Sequence, residues 1–197
     1  MGNVLRVAAI GISVLASGNA FAQANQVRFA RQLGLGYLQF YVMQDKQRVE
    51  RQAERAGLKV TASYSGMGTP TAIADALLSG NVDVVGIGLP SFLTLWDKTR
   101  GNMNVRGMMA MNRQPAFLTT RNPSIKSIRD FTENDRIALP APKVSVQAIM
   151  LEMIAEKTLG KFDALDHLTV GMSHPDGTAA MLSGKLEISS HFTSAPF

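Results

Sequence analysis

The sequence predicts an α/β fold with a largely parallel sheet. Two observations carry this: from residue 27 onward short β-rich runs alternate with longer helical patterns, and one helix–glycine–strand unit recurs later in the chain at a fixed distance. Residues 27–31 read as the first strand. Gly34, Leu35, Gly36 and Tyr37 make a tight loop, and residues 38–56 read as a helix closed by Gly57. Residues 58–64 form the next strand, and Ser65, Gly66, Met67, Gly68, Thr69 and Pro70 a second loop, with Thr69 as N-cap and Pro70 in the first helical turn. That helix runs to Ser79 and stops at Gly80, and residues 82–87 are a continuous buried-strand run. A third loop, Gly88 to Ser91, leads into a helix through Trp96 to Thr99, and residues 105–111 and 117–120 read as strands.

After Asn122 and Pro123 the pattern starts again. It predicts a strand over 136–139, a loop over 140–145, a helix over 146–159, a strand over 167–170, a loop over 172–177, a helix over 178–183 and a strand over 186–190. Within this restart, nine consecutive residues from Ala76 to Val84 match Ala180 to Ile188 in type at a constant offset of 104. Each copy is a helix end, a glycine and a strand opening with an acid. The repeat predicts two related lobes, with Pro115 and the 117–120 strand between them where a hinge belongs.

The first two dozen residues differ from the rest. Arg6 is their only charge, residues 7–15 are apolar, Ser17, Gly18 and Asn19 break the run, and Ala20, Phe21 and Ala22 supply a small-x-small cleavage site. Residues 1–22 are therefore expected to be a signal peptide, with a second possible cut after residue 24, and the apolar run is too short to span a bilayer. Lys and Arg outnumber Asp and Glu by 20 to 15, but the densest basic run, Lys46, Arg48, Arg51 and Arg55, is interleaved with Asp45, Glu50 and Glu54, for example Lys46 with Glu50. That is a solvated helix face, and no nucleic-acid partner is expected.

Enzyme signatures fail. The glycine pairs at Gly34, Gly36 and at Gly86, Gly88 do not complete a dinucleotide fingerprint, and no phosphate loop or nucleophile elbow occurs. His167, His174 and His191 lack metal-ligand spacing, and a Ser65, His174, Asp176 triad can be written on paper without anything in the spacing requiring it. What the chain offers is a set of Gly, Ser, Thr and Pro loops at the carboxyl ends of parallel strands, each opening a helix. Ligands sit at that edge in open α/β sheets, and helix N-termini there favour an anion.

Several of these loops carry a resemblance. GLGY after the first strand, SYSGMGTPTAIADALLSGNVDVVGIGLPSFL across the second and third, and PAPKVSVQAIMLEMI later on resemble the periplasmic solute-binding proteins of ABC transporters, of the nitrate, sulfonate and taurine type. The resemblance implies a two-lobed type II periplasmic binding protein fold, with mixed, mostly parallel sheets and a cleft between the lobes. It implies a monomer in the periplasm that carries a small-molecule solute to a permease and its ATPase, with no catalysis and no cofactor. Lobe one is expected over 23–116 and lobe two over 117–197, incomplete at its C-terminus, where the chain stops at Ala195, Pro196 and Phe197. The family's cleft positions fall on Gly36 and Tyr37, on Ser65, Gly66 and Thr69, and on Pro90 and Ser91. In the second lobe they fall on Lys143, Ser145, Val146 and Gln147, on His174, and on Thr193 and Ser194. The matched loops contain no Arg to grip an anion in two places, so a sulfonate or taurine-like anion held by Lys143 and hydroxyls, and a neutral aromatic or pyrimidine solute, both remain open. Pyrimidine-synthesising relatives with a Cys-rich site do not fit a chain with no Cys. The cytosolic effector-binding domain of a LysR-type regulator has a similar bilobed fold, but the expected signal peptide and the absence of an N-terminal helix-turn-helix pattern argue against that alternative.

Overall fold

The structure, a computed structural model, describes residues 25–194. The expected signal peptide and the terminal Ala195, Pro196 and Phe197 lie outside the described residues. Two sheets organise the chain. In the first, β1 (Gln26–Gln32) lies between β2 (Thr61–Met67) and β3 (Val84–Val85), and both neighbours run parallel to it. In the second, the order is β4 (Phe117–Thr120), β7 (Ile188–Thr193), β5 (Arg136–Leu139), β6 (Thr169–Gly171). Here β5 is parallel to both its neighbours, and only β4, at the edge, is antiparallel.

The recurring unit is visible in three dimensions. Helix α3 (Pro70–Leu78) begins 104 residues before α6 (His174–Ser183), and β3 begins 104 residues before β7. Gly80 and Gly184, the two glycines that close these helices, both stand at φ 70°, a left-handed conformation that suits a residue without Cβ. Each copy then delivers its strand to the same place, beside the first strand of its sheet.

Alternation along β1 decides what packs on each face. Phe29 stacks on Tyr64 at 4.9 Å and meets Phe40 of α1 (Leu38–Asp45) edge-on, while Arg31 lies 3.9 Å over the Tyr41 ring. On the opposite face Ala30 joins Ile73, Ala76 and Val82 beneath α3. The second sheet is likewise covered on both sides. Ile137, Leu139 and Phe192 pack with Ala148 and Leu151 of α5 (Val146–Leu159), and Ala138 and Ile188 pack with Ala180 and Met181 of α6. Among the described residues no helix is long and apolar enough to cross a membrane.

Several expected elements are redrawn. The helix over 38–56 is two: α1 and α2 (Arg48–Arg55) are separated at Gln47, which is left-handed at φ 47°. The break removes the expected Lys46–Glu50 pairing. Lys46 turns to Asp45 at 2.8 Å, and Glu50 Oε1 accepts from the Ala62 backbone N–H of β2 at 2.8 Å. The second strand starts later than 58, where Thr61 N–H donates to Asn25, so Ser65 and Gly66 belong to the strand rather than to the loop after it. The run 82–87 is regular only at Val84–Val85, although Asp83 N–H and Gly86 N–H continue the bonding to β1. Among the described residues, 105–111 form no strand. Helix α6 starts at His174 instead of 178 because Ser173 caps it and Pro175 occupies its first turn. Short 3-10 turns precede β6 and β7, replacing the first residues of those two expected strands. A last helix, α4 (Leu89–Lys98), starts one residue after Gly88.

Candidate functional site

The carboxyl ends of the parallel strands in the two sheets face each other. This follows from three contacts between the halves of the chain. Ser91 Oγ, in the first turn of α4, donates to the Val144 carbonyl in the loop before α5 at 2.8 Å. A Cβ on Gly88 would lie 2.7 Å from Val146 Cγ2, so α4 and α5 meet end to end at a glycine. A Cβ on Gly68, in the loop before α3, would lie 3.4 Å from Ser173 Cβ, at the start of α6. The N-terminal turns of α3, α4, α5 and α6 therefore gather around one interface. Their backbone N–H groups and dipoles make it favourable to negative charge.

The first loop is held from several sides. Tyr37 donates its hydroxyl to Gln32 Oε1 at 2.6 Å, and Gln32 Nε2 reaches the Gly68 carbonyl at 3.5 Å, so one buried glutamine joins the first loop to the second. Burial pushes the Tyr37 phenol up to about 12, which keeps it protonated as a donor. Gly36 is buried and its carbonyl accepts from Asn112 Nδ2. Gly66 permits a close approach of the chain, since a Cβ there would stand 2.9 Å from Leu33 Cδ2. Thr69 caps α3 by accepting from Ala72 N–H. Pro90 lies in the first turn of α4, whose Gly88 cap supplies no side-chain bond.

In the second half, Ser145 is buried and caps α5 by accepting from Ala148 N–H at 3.2 Å. Val146 meets Gly88 as described, and Gln147 behind it is buried. His174 Nδ1 pairs with Thr193 Oγ1 at 3.0 Å, and its ring lies 5.8 Å from that of His191. Burial, and then the neighbouring His191, lower the His174 imidazole to about 4; burial also lowers His191. Both rings are thus neutral at ordinary pH. Ser194 follows at the end of β7, half-buried.

Two of the sequence candidates stand apart. Ser65 is exposed on β2, an edge strand, with no hydrogen bond to the other candidates among the described residues. Lys143, at φ 64°, has a side chain 74% exposed that reaches toward Asp166 at 4.0 Å. The triad written from Ser65, His174 and Asp176 is not joined: Asp176 takes the Ser173 hydroxyl at 2.5 Å, while His174 is engaged by Thr193. Apart from the Asp176 carboxylate in the first turn of α6, the site consequently offers hydroxyls, amides and neutral imidazoles rather than a formal charge.

Sequence reasoning did not place Gln32, Asn112, Ser173 or His191 at the site, although His191 was weighed as a metal ligand. A signal existed for two of them. Gln32 ends a strand whose inner residues are buried, and His191 sits in a run, Ser189, Ser190, His191, that is too polar for a strand buried at all six of its positions unless its side chains have partners. His191 Nδ1 meets Thr178 Oγ1 at 3.2 Å, whereas its Nε2 is buried with no partner among the described residues.

No protein-family model matches the chain, and no curated protein does. Solved structures do. The alkanesulfonate-binding protein SsuA from Xanthomonas axonopodis pv. citri, bound to MOPS, aligns with a TM-score of 0.61 at 14% identity, over 87% of this chain and 55% of that one. The periplasmic aliphatic sulphonate binding protein SsuA from Escherichia coli aligns with a TM-score of 0.54 at 16% identity and the same coverage, 87% and 55%. This chain has the fold of those two-lobed binding proteins and spans 55% of their length.

Proposed function

We propose that this chain is the solute-binding component of an ABC importer, working in the periplasm, and that it captures a small organic anion such as a sulfonate between its two sheets. The observation that carries the reading is the meeting of four helix N-termini across the Ser91–Val144, Gly88–Val146 and Gly68–Ser173 contacts. A small anion placed there finds donors without a cation. Each charge-assisted bond contributes about 1.5–3 kcal/mol, so three or four suffice for tight capture. The shared fold supports the same reading, and so does the MOPS held by one of the similar proteins, itself a sulfonate.

In this reading Gly36, Thr69, Pro90, Ser91, Val146 and His174 border the solute, with Thr193 and Ser194 behind His174 and Tyr37 fixing the first loop. Ser145 and Gln147 support α5 from within. Lys143 enters only if its side chain swings in from solvent, and Ser65 and Gly66 line the outer edge. A permease and its ATPase would receive the solute, and the chain would itself change no bond.

Calorimetry and thermal shift on the purified chain test this, with MOPS, taurine, a carboxylate series and pyrimidines. A solute at 100 times its dissociation constant adds about 2.7 kcal/mol of stability. A shift with sulfonates alone fixes the anion class; a shift with pyrimidines alone replaces it with a neutral solute. No shift with any of them, and no solute released on denaturing the purified protein, sinks the binding role.

A further inference from the structure

The last turn of α4 and the loop after it border an open cavity of about 450 Å³, lined by Trp96, Arg100, Gly101, Asn104, Val105 and Arg106. That volume falls within the range of about 300–1,000 Å³ usual for small-molecule sites. The loop beneath it is held in place by its own bonds. Thr99, which ends the helix, is 1% exposed; its hydroxyl donates to the Leu95 carbonyl at 2.9 Å and accepts from Val105 N–H at 3.2 Å. Asn104 N–H returns to the Thr99 carbonyl at 2.8 Å, and Asn104 Oδ1 accepts from Gly101 N–H at 3.3 Å. Gly101 and Asn104 take left-handed backbones, φ 81° and 51°, which these two residue types tolerate best.

Two guanidinium groups line this cavity and no carboxylate does. Arg100 lies 5.2 Å over the Trp96 ring and pairs with Asp97 at 3.4 Å, but both side chains are well exposed, and such a pair gives way readily to a better-placed anion. The Arg106 side chain has no ion pair or hydrogen bond among the described residues. The carbonyl end of α4 adds about half a negative charge, less than the two cations supply. Trp96 keeps 39% of its surface exposed beside them. From this we infer that the cavity is a binding site for a flat organic anion such as an aromatic carboxylate, its ring against Trp96 and its charge between Arg100 and Arg106. The indole offers a face to the ring, and a guanidinium fork matches a carboxylate. An aliphatic anion forgoes the first contact and a neutral ring the second. The cavity lies at the far end of α4 from Ser91, along a helix about 15 Å long, so it is separate from the solute site proposed above and does not depend on it.

Trp96 is the chain's one tryptophan, so its fluorescence reads this cavity directly. The experiment titrates the full chain with 4-nitrobenzoate, a flat anion that quenches indole emission, and with 4-nitrobenzyl alcohol, its neutral counterpart. The anion is expected to quench to saturation, and the alcohol to bind about tenfold more weakly. Arg106→Ala, at an exposed side chain without partners, is expected to weaken the anion about tenfold and to leave the melting temperature unchanged. Saturating MOPS is expected to leave the 4-nitrobenzoate curve where it was. Quenching that rises linearly with concentration, as for free N-acetyltryptophanamide, reports collisions only and overturns the site. Equal affinity for the alcohol, or an unchanged affinity in Arg106→Ala, overturns the role of the guanidinium groups and with it the anion class. Competitive displacement by MOPS makes the two sites one and overturns the separate cavity. If the unmodified chain binds no MOPS, the sulfonate reading falls, and the quenching titrations still decide this cavity.

Discussion

At the scale of single residues, the chemistry of the site is set by burial of groups that prefer water. His174 is held neutral by its surroundings: Thr193 engages Nδ1, His191 lies across from it, Ser173 precedes it, and Asp176 on the same helix is occupied by Ser173. Its imidazole is lowered from 6.5 to about 4. Between those values the unfolded chain takes up a proton that the folded chain refuses, so stability falls as pH drops from about 6.5 to about 4, by on the order of 3 kcal/mol once the window is crossed. The depressed carboxyls of Asp83, Asp130 and Asp135 act in the same direction but only below their ordinary 3.8, so the two contributions separate on the pH axis. Denaturation followed from pH 7 to 4 should show the loss, and His174→Gln should remove most of it, leaving the part owed to His191. An NMR titration of His174 with a midpoint near 6.5 would refute the account. An anion bound beside the ring would raise that midpoint, which links the titration to solute binding.

At the scale of elements, what the sequence made legible was local. β5 and α5 have the predicted bounds because pattern, cap and stop agree: an apolar run over 137–139, Ser145 as N-cap and Gly160, left-handed at φ 78°, as the end. The split of the helix over 38–56 was hidden because nothing in Asp45, Lys46, Gln47, Arg48 forbids helix; the break is dictated from outside, by Glu50 reaching the backbone of β2. Likewise residues 105–111 have strand composition, but a strand needs a neighbour, and composition does not reveal one. The cleft loops were legible through their Gly, Ser and Pro, yet the Ser91–Val144 and Asn112–Gly36 bonds join residues 53 and 76 apart and left no pattern. The helix break supports a direct test. Gln47 carries a left-handed backbone that favours glycine, so Gln47→Gly should raise stability by about 0.5–1 kcal/mol, while Gln47→Ala should not. Denaturant midpoints at constant slope measure both. Equal effects of the two would show that the gain comes from helix propensity or solvation and not from the backbone at φ 47°.

At the scale of the whole molecule, the repeated helix–glycine–strand unit gives two sheets of like topology whose strand carboxyl ends meet. Capture of a solute between the sheets, as proposed, requires a second posture in which they part; in the structure the edges touch. Among the described residues, what holds them there is one hydrogen bond from Ser91 to Val144, contributing about 1 kcal/mol, and close packing at Gly88 and Gly68. A balance of this size can be shifted by a solute that touches both halves. It can equally be shifted by mutation. Ser91→Ala should move the population about fivefold toward the separated posture. Gly88→Val should do more: its backbone, at φ −70° and ψ 153°, accepts a branched side chain, but the added Cβ would sit 2.7 Å from Val146 Cγ2, so α4 and α5 must part. Small-angle scattering should record a larger radius of gyration for Gly88→Val, with the melting temperature of each half little changed, and MOPS affinity should fall more for Gly88→Val than for Ser91→Ala. If Gly88→Val scatters like the unmodified chain and binds as it does, the interface between the sheets is not where solute is held, and the site must be sought within one half, with the His174, Thr193 and His191 group as the place to begin.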